Sequence, residues 1–176
     1  MGRGTVHDAV CDGRYHGGPD QAVYIYGGAD YAWWETQDNR SSPPGSFGEN
    51  MVVSGLETGN LAVGDVLTVG DIRLQVTDAR IPCGTLERHI GEKGFAQRFT
   101  AALRPGAYCR VLVPGNVEAG APVRHEPWSG DRLTLAEIVV DQAKPNLAPE
   151  SLDRFLGLPI SERLRAKKLR QKAGGK

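Results

Sequence analysis

Residues 63–79, VGDVLTVGDIRLQVTDA, constrain this chain more than any other stretch. Ile72, Leu74 and Val76 alternate with Arg73, Gln75 and Thr77, the period-two pattern of a strand with one buried face. Gly70-Asp71 separates this run from Val66–Val69, and a two-residue turn opened by glycine suits a tight hairpin. A half-buried hairpin cannot stand alone in water. The rest of the chain must supply more strands and a cover for the apolar face.

Ala22–Tyr26 and Cys109–Val113 are short runs of the same β type, and Val117–Val123 is a further candidate broken by Gly120 and Pro122. The 23 glycines and 11 prolines favour tight turns between short strands over a helical bundle. Before Trp128, helical spacing is confined to Asp30–Gln37, Thr85–Ile90 and Phe95–Leu103, the last carrying Phe95, Phe99 and Leu103 at i, i+4 and i+8. After Trp128 the texture changes. Ser129–Asp131 is placed to cap a helix through Val140, and Ser151–Leu156 and Ser161–Lys172 read as two more, each opened by a serine. The expected fold class is α+β, mainly β with short helices. A β-rich domain over residues 1–128 is followed by a small helical unit over 129–176 with a basic end.

Composition narrows the function classes. The chain is 40% hydrophobic and 24% charged, as in ordinary globular proteins, and no apolar run reaches the roughly 18 residues a membrane span needs. A cytoplasmic location is the resulting expectation. Net charge is zero, but residues 161–176 hold seven Lys/Arg against Glu162 alone. A solvated final helix explains that bias better than a nucleic-acid surface. Cys11, Cys83 and Cys109 are odd in number and far apart, so neither a disulfide framework nor a zinc ribbon is indicated.

Cys83 lies in Arg80-Ile-Pro-Cys-Gly84, directly after the strongest strand and before a helix. Pro82 fixes the backbone, Gly84 lets a ligand approach, and a helix N-terminus stabilises a thiolate. The residues alone leave two readings, a buried structural cysteine or a working thiol beside Arg80. His16-Gly17-Gly18 leads into the first strand, either as a plain turn or as backbone N–H groups cradling an anion. Phe47-Gly48-Glu49-Asn50 is either a turn or an amide and a carboxylate offered to a heterocycle. His7, Cys11 and His16 match no zinc spacing and lack a fourth ligand; Cys109 reads as core, and His89 and His125 have no local partner.

These pieces occur together and in one order. HGGPDQAVYIY, a WW-containing helix, PPGSFGENMVVSGL and VGDVLTVGDIRLQVTDARIPCGTLER resemble the MOSC domain over residues 13 to about 125. DRLTLAEIVV and LAPESLDRFLGLPISERLR resemble the small C-terminal helical unit of the YiiM-like branch. The resemblance implies a β-barrel-like fold holding a molybdenum cofactor (molybdopterin), with Cys83 as metal ligand. It implies catalytic roles for Cys83 and Arg80, and cofactor-binding roles for His16, Gly17, Gly18, Phe47, Gly48, Glu49, Asn50 and Arg80. Pyridoxal phosphate binding is also ascribed to the family.

The implied reaction is reduction of N-hydroxylated compounds, such as N-hydroxylated purine bases and amidoximes. With no haem, iron–sulfur or dinucleotide motif, electrons must come from a separate donor such as a flavoprotein. A homodimer is left open. MGRGTVHDAVCDG does not match the family's basic phosphate-holding stretch, which implies an incomplete barrel or a start further upstream. The competing implications are a cofactor- or sulfur-carrying module with a persulfide on Cys83, and an inactive remnant.

Overall fold

The alternation in residues 63–79 builds the centre of the molecule. The computed structural model describes residues 18–39, 41–144 and 146–174. A 3₁₀ turn at Pro19–Gln21 leads into strand β1 (Val23–Gly27), and helix α1 (Gly28–Asp38) follows at once. Strands β2 (Met51–Val53), β3 (Val66–Val69) and β4 (Ile72–Ala79) come next, then helices α2 (Gly84–Ile90) and α3 (Phe95–Ala101). Strands β5 (Ala107–Val113) and β6 (Val123–Glu126) complete the sheet, and α4 (Leu135–Gln142), α5 (Pro149–Leu156) and α6 (Glu162–Lys172) end the chain. The sheet order is β2-β1-β5-β4-β3-β6, all antiparallel except β1 with β2. This six-stranded mixed sheet forms a half-barrel, and the fold is α+β.

β3 and β4 pair as the hairpin the alternation requires, with Val69 opposite Ile72 and Gly70 at φ 53, the positive value a primed turn demands. Ile72, Leu74 and Val76 are buried on one sheet face with Val23, Ile25, Leu67, Ala107 and Cys109. The opposite face carries a second, aromatic core: Tyr24, Tyr26, Tyr31, Trp34 and Phe47 from the β1–α1 side, with Leu86, Phe95 and Phe99 from α2 and α3. Of the two adjacent tryptophans, Trp34 is buried and Trp33 packs at the rim.

The register of β4 against β5 slips between Val76 and Asp78, because Thr77 is a bulge residue facing no partner of its own. Without it, residues 77 and 79 would face the aromatic side. With it, Asp78 stands opposite Tyr108, Ala79 returns to the aliphatic core, and Arg80 follows on the aromatic side.

The first aliphatic core is closed by the C-terminal residues. Leu133, Leu135, Ile138 and Val139 of the α4 region and Phe155, Leu158, Ile160 and Leu164 all belong to it. Three expectations need correcting here. Ser129–Asp131 does not cap α4; Thr134 does, through a capping box with Glu137, because Leu133 and Thr134 are first held extended against Leu61–Val63. α5 starts at Pro149, whose fixed φ suits the first helical position, so Ser151 lies inside the helix. Val117–Val123 is not a strand: Gly120 is at φ 87 and Pro122 has no N–H, and pairing begins only at Val123. β2, only three residues long, is a strand through its parallel pairing with β1, which local pattern does not announce. Ser161 caps α6 as expected, its hydroxyl oxygen accepting the Leu164 N–H.

Candidate functional site

Arg80 and Cys83 bracket the point where β4 leaves the sheet. Among the described residues, the Arg80 guanidinium donates to the Phe47 carbonyl, stands 4.9 Å from the Tyr24 ring centroid, and makes no ion pair with a carboxylate. Tyr24 is itself fixed, its hydroxyl donating to Pro105 O at 2.9 Å and its ring lying 5.1 Å from that of Tyr108. Burial works against the Arg80 charge, but the phenol groups of Tyr24 and Tyr108 and the Cys83 sulfur outweigh it and hold its pKa above the ordinary value.

Cys83 is the N-cap of α2, in extended backbone, and its side chain is half-buried and free of any disulfide. Partial burial pushes its thiol pKa up. The N–H groups of Leu86 and Thr85, the Thr85 hydroxyl and the Arg80 charge more than compensate, so the thiol sits below its usual range. Cys109 is the opposite case: completely buried in mid-strand, with its pKa driven upward by desolvation alone, it is core.

The loop before β2 forms the other wall. Glu49 accepts the Tyr31 hydroxyl at 2.5 Å and Gly45 N at 2.6 Å on one oxygen, and Phe47 N at 3.2 Å on the other. Asn50 clasps β1 on both sides, its side-chain oxygen accepting Tyr24 N at 2.8 Å and its own N–H donating to Tyr24 O at 2.9 Å. Phe47 is 2% exposed, its ring 4.5 Å from that of Tyr26, so its carbonyl rather than its ring meets Arg80. Gly48, at φ 72, lies against the guanidinium: a Cβ there would stand 3.6 Å from Arg80 Nη1.

Phe47 and Gly48 thus lie against Arg80 just past the end of β4, Asn50 is bonded to Tyr24 beside it, Glu49 folds the loop that carries them, and Cys83 lies within electrostatic reach of Arg80. Gly18 precedes the 3₁₀ turn at φ 98. His16 and Gly17 lie outside the described residues, as do His7 and Cys11. Sequence reasoning missed Tyr24, which orients Arg80, and Tyr108, which packs on Tyr24 and supports the Arg80 charge. The signal was their place in two strands that turn out to be neighbours, and pairing is not readable from local pattern.

Beside the thiol segment runs an open, mostly apolar groove lined by Ile81, Pro82, Ala96, Gln97, Thr100 and Ala101. Among the described residues no group of three or more His, Cys, Asp or Glu could hold a metal ion by itself, and no helix is long and apolar enough to cross a membrane.

A sheet of this order, with a thiol and a guanidinium where its longest strand ends, defines a recognisable class. Residues 12–124 match the MOSC domain model, and the chain belongs to that family. It is similar to the uncharacterized protein YflK of Bacillus subtilis strain 168, with 37% identity over 65% of this chain and 52% of that protein. Protein YiiM of Escherichia coli K12 is 31% identical over 68% of this chain and 55% of YiiM. A Gibberella moniliformis protein named a reductase is 32% identical over 69% of this chain and 21% of its own length. The chain therefore spans about half the length of the first two relatives. The crystal structure of YiiM from Geobacillus stearothermophilus superposes with a TM-score of 0.81 at 25% identity, covering 88% of this chain and 80% of that one.

Proposed function

We propose that this chain holds a molybdenum cofactor and reduces N-hydroxylated compounds, with the Cys83 thiolate bound to the metal. The observation that carries this reading is the half-buried Cys83 thiol at the head of α2, its pKa held below the thiol range by N–H donors and by Arg80. Membership of a family named for the cofactor sulfurase C-terminal domain and similarity to a named reductase support it.

The donor set fits such a group. A thiolate is a soft anionic ligand suited to a high-valent metal centre whose remaining ligands come with the cofactor. A guanidinium with no acidic partner among the described residues suits the anionic surroundings of a metallated pterin. When bound, the cofactor supplies the two-electron chemistry that converts N–OH and two protons to N–H and water.

The protein's own work is to present and protect. Cys83 is aimed by the α2 cap, and Arg80 is aimed by the Tyr24 ring and the Phe47 carbonyl. Glu49 and Asn50 keep the 43–50 loop folded against β1 so that this aim persists. Electrons come from a separate donor, such as a flavoprotein.

The test is protein produced in cells that make the cofactor, compared with Cys83→Ala. The expected outcome is stoichiometric molybdenum and amidoxime reduction in the parent, and loss of both in the variant. Full retention of metal and activity without the thiol would overturn the assignment. A persulfide on a metal-free Cys83, seen by intact mass, would instead mark a sulfur carrier.

A further inference from the structure

A bulge interrupts the ladder between two strands, and a buried carbonyl at it takes its donor from elsewhere. Thr77 is completely buried, and its donor comes from the C-terminal unit: Ser161 N donates to Thr77 O at 3.0 Å. The Ser161 hydroxyl donates to one oxygen of Asp78 at 2.8 Å, while the other accepts Ala79 N at 2.9 Å. A single residue at the head of α6 thus grips two successive residues of β4, one by backbone and one by side chain. Ser161 is itself completely buried, so bulk water does not compete for either bond.

The same junction is tied to the start of the sheet. Glu162 N donates to the Asp20 carboxylate at 2.8 Å, and the Thr77 hydroxyl lies 2.5 Å from Asp20 O and 3.0 Å from Tyr108 O. From β5, the Arg110 guanidinium donates to Pro159 O and Ile160 O, each at 3.1 Å. The grip has a consequence for register. With Thr77 present but the bulge flattened, residue 77 would face Tyr108, and Asp78 and Arg80 would both turn to the aliphatic layer.

We propose that Ser161 is a positioning residue of the Arg80–Cys83 site: the head of α6 clamps the β4 bulge, and the clamp sets the side of the sheet on which Arg80 emerges. The C-terminal helical unit is then part of the site as well as a cover for the core. The inference rests on the reductase reading for its effect on turnover but not for the clamp itself.

The experiment follows the Arg80 side-chain Nε–Hε resonance in cofactor-free protein, assigned with Arg80→Lys. The guanidinium stands 4.9 Å from the Tyr24 ring centroid, so the ring current reports its aim. Thr134→Ala is the control, because it removes the side-chain cap of α4 in the same unit and touches neither Thr77 nor Asp78. Ser161→Ala should move the Arg80 resonance towards that of free arginine, and Ser161→Thr should restore it. Thr134→Ala should leave it in place, although both alanine variants lower Tm. Asp20→Asn, a milder change on the far side of the clamp, should move it the same way by less. In the loaded protein, Ser161→Ala should lower kcat/KM for amidoxime reduction roughly tenfold. An Arg80 resonance unmoved in both Ser161→Ala and Asp20→Asn, or moved as far by Thr134→Ala, would overturn the clamp. The expected movements in a protein whose parent form turns over no amidoxime would sink the reductase reading and keep the clamp.

Discussion

Asp65 ties three distant parts of the chain together, and its removal gives the sharpest test of how the half-barrel is held. The side chain is completely buried just before β3. One oxygen accepts Trp128 N at 2.7 Å and Arg132 Nη1 at 2.9 Å; the other accepts Ala62 N at 3.0 Å and lies 2.8 Å from His125 Nε2. Burial alone would raise its pKa. The N–H groups of Ala62 and Trp128, with Arg132 and His125, outweigh that and hold it below the carboxylate range.

In Asp65→Ala, two backbone N–H groups lose their acceptor at about 1–3 kcal/mol each, and Arg132 loses its counter-charge. Breaking a buried ion pair on one side costs about 3–5 kcal/mol in all, so the two figures agree rather than add. For a chain of this size that corresponds to a fall in Tm of roughly 6–20 °C. Urea unfolding followed by tryptophan emission is the assay, since Trp128 is bonded to the carboxylate itself. A loss under about 1 kcal/mol would refute the reasoning, because it would mean that water replaces the carboxylate freely. The pH dependence has a definite sign. A folded pKa lowered below the unfolded value of about 3.9 gives stability present above that pH and lost as pH falls through the folded pKa.

Three more outcomes follow from buried polar groups and close contacts. Lys168 is fully buried over the Phe155 ring at 4.2 Å, with no hydrogen-bond partner for its ammonium among the described residues, and burial lowers its pKa to about 8. Lys168→Met should therefore stabilise the protein by about 1–3 kcal/mol near pH 7, the gain shrinking as pH rises from 8 towards 10.5, in denaturant titrations run across that range. Asp78 is pushed up to about 6 by burial, although Ser161 donates to it at 2.8 Å, so its ionisation costs stability increasingly between its unfolded value near 4 and pH 6. Asp78→Asn should flatten the melting temperature between pH 4 and 7. Gly106→Ala should cost about 3 kcal/mol or more by thermal melt, since its Cβ would stand 2.4 Å from the Tyr24 ring at φ 70, and it should also disturb Arg80.

Sequence pattern carried the β3–β4 hairpin, α1, α2, α3 and α6, because each is a local periodicity with local punctuation. It carried Cys83 and Arg80 as the pair to examine, because Pro82 and Gly84 mark the segment. It did not carry Asp65 or His125, whose partners lie about sixty residues away. Nor did it carry the buried state of Lys168: a lysine among six other basic residues reads as solvated, and only the packing of α6 on α5 buries it. Phe47 and Asn50 illustrate the same limit, since a loop sequence does not reveal which of its side chains will point inward.

The slip at Thr77 also sets a rule about chain length. Because successive strand residues alternate in direction, Asp78, Ala79 and Arg80 keep their faces only as an unbroken run after the bulge. Losing Thr77 itself would restore plain alternation and leave Arg80 on the Tyr24 side, whereas losing Ala79 with the bulge kept would turn the guanidinium into the aliphatic layer. The bulge is therefore the place in this interval where the strand can shed a residue without turning its side chains over.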